Sequence, residues 1–212
     1  MTRRLLGALA GLLLAGCGAV EARARPPVWT VRDADSELVI FGSVHVLPPG
    51  LEWRPAELAA ALAKADDLWF ELPIDPASEA KVGQLAAAHG LLPQGQSLSA
   101  LLSPEGRARL AAAVADLGVS MAVLDRLEPW FAEVVLAGAQ FQKAGADASS
   151  GVEKMISGSA PASARRRAFE SPDEQIAIFD AAPLAQQIAS LEQSLVELNE
   201  NPEAYDELIA HW

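Results

Sequence analysis

The sequence predicts a helix-rich α/β domain with a central, mostly parallel sheet and a large helical insertion. Short apolar or alternating runs at residues 28–31, 38–42 and 68–72 are typical of β-strands. A helical pattern separates the second run from the third. A strand, a helix and a strand within about 35 residues favour a right-handed crossover between parallel strands. The alanine- and leucine-rich region 76–144 predicts consecutive helices, which form the insertion.

The first two predicted strands lead to the most specific motif of the chain. Residues 33–36 form a polar turn, so the strands on either side are expected to form a hairpin. The second strand, residues 38–42, is almost continuously apolar, which predicts burial on both faces. Gly42 ends this strand and His45 follows three positions later, where a rigid strand would hold its imidazole at the edge of the sheet.

Prolines, glycines and capping residues set the predicted helix boundaries. Ser103 and Pro104 suit an N-cap and a first helical position, and Gly90 and Gly118 are typical helix stops. Residues 171–174 form a capping box. The predicted helices cover 55–66, 77–89, 97–102, 104–117, 120–126, 129–143, 152–157, 172–181 and 183–199, with a short strand at 167–170 and a last helix after Asn201.

Composition limits the classes of partner and of site. At 212 residues and 51% hydrophobic content, the chain suits one globular domain. Its formal net charge is −12, and an acidic chain repels phosphate backbones, so no nucleic-acid partner is expected. The basic cluster at residues 165–167 is expected to be a solvated turn. Cys17 is the only cysteine, so neither disulfides nor a thiolate-rich metal site is expected.

Residues 1–16 have the features of an export signal. Two arginines precede an apolar run that is too short to span a bilayer, and small residues then precede Cys17. This pattern resembles the lipobox of bacterial lipoproteins, which implies cleavage before Cys17 and a lipid on its thiol. Residues 17–27 would be a tether, and we expect a periplasm-facing lipoprotein anchored to a membrane of the bacterial cell envelope. The alternative is an ordinary signal cleaved near residues 22–24.

His45 and Glu71 are the first candidates for chemistry. Glu71 follows the apolar strand residues 68–70. If its strand and the strand before His45 are parallel neighbours, both side chains emerge at the carboxyl edge of the sheet, where α/β proteins bind ligands. A histidine there suits a metal ligand or a general base, and a carboxylate beside buried residues needs a partner or an ion. The alternatives are a structural histidine and a glutamate that has already reached water.

Further carboxylates extend this candidate site. Glu170 follows Phe169 and precedes a capped helix, so it is either a ligand or a charge that favours the helix N-terminus. Glu153 and Asp147 flank a Ser-Ser-Gly turn and are weaker candidates. One imidazole with several carboxylates suits manganese, cobalt or iron better than zinc.

Several blocks of the sequence resemble the TraB/GumN family, whose animal relatives are the TIKI proteases. The blocks are 41–48, 68–72, 128–130, 151–153, and 169–171 followed by 174–175. The first contains the G-x-x-H motif of the family, in which Gly42 and Ser43 precede His45, and the resemblance covers residues 28–212. It implies an α/β fold similar to the erythromycin esterase and ChaN-like group. It also implies a divalent-metal-dependent hydrolase, with peptidase activity in the TIKI branch.

The resemblance further implies roles for individual residues. His45 and Glu71 would act in catalysis and bind the metal. Glu170 and Glu153 would be further metal ligands. Water activated by the metal would be the nucleophile, and a carboxylate or His45 would take its proton. The substrate would be a peptide or a small molecule.

One departure from the family pattern bears on activity. Family members carry a second G-x-x-H motif near the C-terminus, whereas residues 42–45 are the only such pattern here. The sequence therefore resembles the first two-thirds of the family, and we expect an unpaired sheet edge and a site without its second histidine. The expected hydrolase would then bind metal weakly or be inactive. The alternatives are a non-catalytic envelope lipoprotein that binds a peptide or small partner through its helices, and a protein that only captures ions.

Replacing the sulfur of Cys17 tests the predicted anchor. We expect Cys17→Ser to release the protein from membranes, because a hydroxyl at this position does not take the lipid. Membrane and soluble fractions of cells that express each form provide the measurement. Continued membrane attachment of Cys17→Ser would contradict the lipobox prediction.

Overall fold

The computed structural model describes residues 26–212, which contain short strands and many helices. The predicted mixed α/β class is confirmed. The predicted signal peptide, Cys17 and the tether up to residue 25 lie outside the described residues. No helix within residues 26–212 combines the length and the apolar character needed to cross a bilayer.

Strands β1 (Val28–Arg32) and β2 (Glu37–Phe41) form the predicted antiparallel hairpin. The prediction that β2 is buried on both faces is wrong, because Leu38 is 56% exposed and Ile40 is 48% exposed. A two-stranded ribbon has two faces, and only the face that carries Phe41 packs on a core. The hairpin therefore presents one apolar face outward.

Strands β3 (Asp67–Phe70) and β4 (Arg165–Ala168) form a separate parallel pair. The suggested pairing of β2 with β3 is wrong, since β2 pairs with β1 and the described strands form two small sheets rather than one central sheet. The crossover between parallel strands runs from β3 to β4 and contains most of the helices. The partner of β3 lies far along the chain, so the local strand–helix–strand pattern indicates the wrong neighbour.

The helices begin and end close to the predicted positions. They are α1 (Ala56–Leu62), α2 (Pro76–His89), α3 (Leu98–Leu101), α4 (Pro104–Leu117), α5 (Met121–Leu124), α6 (Pro129–Lys143), α7 (Val152–Ser159), α8 (Pro172–Asp180), α9 (Leu184–Glu200) and α10 (Ala204–His211), with a 3₁₀ turn at Ala148–Ser150. The agreement follows from local capping. The side chain of Ser103 accepts a hydrogen bond from the amide of Gly106, and Ser171 and Glu174 form the predicted capping box.

Two large apolar cores hold these elements together, with a third, small cluster of Ala86, Trp130 and Ile176 between α2, α6 and α8. The first joins α4, α6 and α9 through side chains that are at most 1% exposed, which include Leu110, Leu136, Leu191 and Leu195. The second lies beneath the residues that follow β2, and its buried members are Leu47, Trp53, Leu58, Leu62, Leu68, Phe70, Val152 and Ile156. Truncation of one such leucine to alanine costs about 2–5 kcal/mol. The first core includes α9, so the helices of residues 76–144 do not form it alone.

The basic cluster at residues 165–167 lies in β4 and pairs with β3 rather than forming the expected solvated turn. Nε of Arg165 donates to Asp67 Oδ1 at 2.8 Å, and Nε of Arg167 donates to the same oxygen at 2.6 Å. The hydrogen bond from Arg165, followed by that from Arg167, lowers the pKa of Asp67 to about 2. One carboxylate thus connects the two parallel strands through two guanidinium groups.

Removal of the Asp67 charge tests this connection. We expect Asp67→Asn to lower the free energy of unfolding at neutral pH, because both guanidinium groups lose their anion. The pKa of Asp67 is depressed in the folded state, so the difference between the two proteins should be constant above pH 3.8 and should shrink as the pH falls towards 2. Urea unfolding at several pH values provides the measurement. Asp35→Asn, in the exposed turn of the hairpin, is the control, and an equal effect of both variants would contradict the prediction.

Candidate functional site

His45 lies in the histidine loop, which we define as residues 42–47, directly after β2 and without regular secondary structure through residue 46. The loop backbone is held by a segment distant in sequence. Leu47 and Asp147 exchange two backbone hydrogen bonds, of 3.4 and 3.0 Å, and the amide of Val152 donates to the carbonyl of Val44 at 3.0 Å. From the sequence, His45 is expected to be held by a strand. It lies instead in a loop whose backbone is held by hydrogen bonds to residues 147–152.

Gly151 allows the two segments to approach this closely. Its backbone angles, φ −59° and ψ 145°, are accessible to most residues, so its conformation does not require glycine. A Cβ at this position would lie 2.0 Å from the carbonyl oxygen of His45. Glycine is needed because it has no side chain, and its absence brings the first turn of α7 against the histidine loop.

The first turn of α7 carries Glu153, which accepts two hydrogen bonds from the motif. Nδ1 of His45 lies 2.8 Å from Glu153 Oε1, and the hydroxyl of Ser43 donates to the same oxygen at 2.5 Å. The side chain of Glu153 is only 14% exposed, whereas that of His45 is 72% exposed. Glu153, a weaker candidate from sequence, is thus the group that orients the imidazole.

These contacts shift the pKa of both groups. The hydrogen bond that His45 donates to Glu153 raises the pKa of His45 above its ordinary value, although burial acts in the opposite direction. Burial disfavours the charge on Glu153, but hydrogen bonds from His45 and Ser43 outweigh it, so the pKa of Glu153 lies below its ordinary value. The site therefore favours a carboxylate beside a readily protonated imidazole.

Glu71 follows β3 and lies on the other side of the imidazole. Its Oε2 is 3.9 Å from Nε2 of His45, and its side chain is half exposed. The amide of Gln175, in α8, donates to Glu71 Oε1 at 2.9 Å. His45 and Glu71 are therefore neighbours, as predicted. The predicted cause, parallel pairing of the strands that precede them, is wrong.

Glu170 is brought beside Glu71 by continuation of the parallel pairing. The amide of Glu170 donates to the carbonyl of Glu71 at 3.0 Å. Oε2 of Glu170 and Oε1 of Gln175 are both buried and have no hydrogen-bond partner within the described chain. Buried oxygens of this kind normally have a partner, so this corner of the site is suited to a proton or a cation.

The donors present fit a divalent ion in their chemistry. The distance of 3.9 Å between Nε2 of His45 and Oε2 of Glu71 is less than twice the usual metal–ligand distance of about 2.1 Å. Within residues 26–212, no three or more His, Cys, Asp or Glu side chains are already grouped so that they could hold an ion. The site therefore offers one facing pair of donors and the unpartnered oxygen of Glu170, a residue whose backbone is hydrogen-bonded to that of Glu71.

Comparison with known proteins identifies the family. The model of the TraB/PrgY/gumN family matches residues 27–212. The chain belongs to this family. No curated protein and no solved structure matches it. In this TraB/PrgY/gumN member, the G-x-x-H motif forms residues 42–45 of the histidine loop, and the Gly-Val-Glu block at 151–153 packs on it.

Sequence reasoning missed the roles of Gly151 and Gln175. Both lie in blocks that resemble the family, but their residue types did not suggest a function. The role of Gly151 depends on a contact with the carbonyl of His45, 106 positions away (151 − 45). Gln175 lies one turn into a capped helix, and only the packing of α8 brings its amide to Glu71.

A methyl group at position 151 tests the close contact. We expect Gly151→Ala to lower the free energy of unfolding by about 1–3 kcal/mol, because the methyl group forces the histidine loop and α7 apart. Gly158→Ala, within α7, is the control, since a Cβ there meets nothing within 4 Å. The control should be neutral or stabilising by about 0.5 kcal/mol. Equal stability of the two variants would contradict the contact.

Removal of the Glu153 charge tests the orientation of the imidazole. We expect Glu153→Gln to lower the pKa of His45, because the imidazolium loses its anionic hydrogen-bond partner. The pair contributes fully to stability below the ordinary histidine pKa of 6.5 and loses that contribution as the pH rises through the raised value. NMR titration of the ring protons gives the pKa, with Glu79→Gln, an exposed partner of Lys154, as control. An unchanged pKa in Glu153→Gln would show that the hydrogen bond has no electrostatic role.

Proposed function

We propose that this TraB/PrgY/gumN protein is a divalent-metal-dependent hydrolase of the bacterial cell envelope that acts on a peptide or small-molecule substrate. The observation that carries the proposal is the position of His45 between two carboxylates, Glu153 at Nδ1 and Glu71 at Nε2. A carboxylate–histidine pair of this kind commonly orients a metal-binding imidazole in enzymes. The family membership supports the proposal but does not specify the reaction.

Glu153 would determine which imidazole nitrogen is available. When neutral His45 carries its proton on Nδ1, it donates that proton to Glu153, and Nε2 then bears the lone pair. This lone pair is directed to the side where Glu71 lies. Ser43 donates to the same carboxylate oxygen and keeps Glu153 in place. The three residues thus present one nitrogen donor in a fixed direction.

The remaining donors are carboxylate oxygens. His45 Nε2, Glu71 Oε2 and Glu170 would hold the ion, while Glu153 orients rather than ligates, which revises its expected role. Such a set suits manganese, cobalt or iron, because it contains no thiolate. A bound divalent ion supplies a Lewis acid that polarises a carbonyl group and acidifies water. The half-exposed carboxylate of Glu71 would accept the proton that the attacking water loses.

The finer fold assignment and the location belong to the same proposal. The predicted similarity to the erythromycin esterase and ChaN-like group includes one central sheet, whereas the strands within residues 26–212 form two small sheets. The similarity therefore stays a prediction. The location, as a periplasm-facing lipoprotein, is inferred only from the sequence around Cys17.

A non-catalytic binding protein is the second candidate, and a groove away from His45 favours it. This groove has a volume of about 420 Å³ and lies between α6, α8 and α9. Its exposed apolar side chains include Val134, Ile178 and Phe179, and Glu133 lies beside them. Its dimensions suit a small apolar group of a peptide or ligand.

Metal binding by the purified protein separates the two candidates. We expect manganese or cobalt to raise the thermal unfolding midpoint, by an amount that corresponds to about 2.7 kcal/mol at 100 times the dissociation constant. His45→Ala should abolish the shift. Glu71→Gln should weaken it while the far-ultraviolet circular dichroism spectrum stays the same, because Glu71 is half exposed.

His89→Ala is the matched control, since His89 pairs with Asp180 at a distance of 3.2 Å in a different part of the chain. The control should keep the full metal shift. A shift that survives in His45→Ala, or no shift with either metal, would overturn the proposed function and favour the binding protein.

A further inference from the structure

Two residues of the α10 region, one at the start of the helix and one just after its end, contact the histidine loop on both sides of His45. The hydroxyl of Tyr205 donates to the carbonyl of Val46 at 2.9 Å. The indole Nε1 of Trp212, the residue after α10, donates to the carbonyl of Gly42 at 2.9 Å. The two acceptors lie one residue after His45 and three residues before it, so both donors bind the backbone of the histidine loop.

Both aromatic rings are fixed by packing. Tyr205 is 3% exposed and its ring centroid lies 5.2 Å from that of Phe141. The ring of Trp212 contacts Phe41 at 6.0 Å and Trp53 at 5.7 Å. Because their rings are held, the two donors are directed at the loop without further loss of side-chain entropy.

The loop depends on such donors because it has no regular hydrogen-bonding pattern of its own. The backbone amides of Val152 and Asp147 donate to the carbonyls of Val44 and Leu47. Gly151 lies against the carbonyl of His45. The side chains of Tyr205 and Trp212 donate hydrogen bonds to the carbonyls of Val46 and Gly42, respectively. Loss of a donor from a buried carbonyl costs free energy and releases the backbone locally. Two separate segments therefore determine the position of one imidazole.

We propose that Tyr205 and Trp212 are positioning residues for His45, and that α10 holds the histidine loop in the arrangement that presents Nε2 to Glu71. The placement of His45 rests on the described contacts alone. Its consequence for metal binding rests on the proposed function. A change in α10 therefore alters the site without touching any of its side chains.

The test uses variants that keep an aromatic ring at each position and remove its hydrogen-bond donor. In Tyr205→Phe and Trp212→Phe, we expect the ring-proton NMR signals of His45 in metal-free protein to shift or broaden, while those of His89 stay in place. We also expect about a tenfold loss of apparent manganese affinity, measured by thermal shift. Leu208→Ala, an exposed position of α10, is the matched control and should change neither readout.

The outcomes are distinguishable. Unchanged His45 signals in both phenylalanine variants, or an equal change in Leu208→Ala, would overturn the inference. Unfolding of both phenylalanine variants would assign the two hydrogen bonds to global stability and would also overturn it. If the His45 signals move but manganese does not stabilise even the unaltered protein, the positioning role stands and the proposed function fails.

Discussion

The candidate site depends on the contact between the histidine loop and residues 147–153. Backbone hydrogen bonds join Leu47 to Asp147 and Val152 to Val44. The bare Cα of Gly151 lies against the carbonyl of His45, so Glu153, in the first turn of α7, reaches the imidazole at 2.8 Å. An irregular loop on its own would leave the imidazole with many orientations, and ordering it costs about 1–2 kcal/mol per residue. The contact offsets that cost and selects one orientation.

Electrostatics give this orientation a chemical consequence. One imidazole lies beside two carboxylates, one mostly buried at Nδ1 and one half exposed at Nε2. Burial makes the hydrogen bond to Glu153 stronger than it would be in water, whereas the exposed side leaves room for a ligand. Glu170, which has an unpartnered buried oxygen, is joined to Glu71 on this exposed side by a backbone hydrogen bond. This difference in burial suits a site in which Glu153 orients the imidazole and Glu71 reacts or binds a ligand.

The two larger apolar cores differ in their relation to the candidate site. The helical core of α4, α6 and α9 contains none of the candidate residues, whereas the second core includes Leu47, Phe70 and Val152, each close in sequence to one of them. Side chains at the end of α10 also pack on the second core. Changes in the helical core should therefore act on global stability, while changes in the second core also act on the geometry of the site.

The sequence alone determined the helix boundaries, the hairpin and the residue types of the site, because caps, turns and strand patterns depend on residues a few positions apart. The capping box of Ser171 and Glu174 is one example. Only the tertiary structure decided that β3 pairs with β4, that one face of the hairpin is exposed, and that Glu153 orients His45. These features join residues as much as 108 positions apart, and their energies come from burial and close contact that no local pattern records.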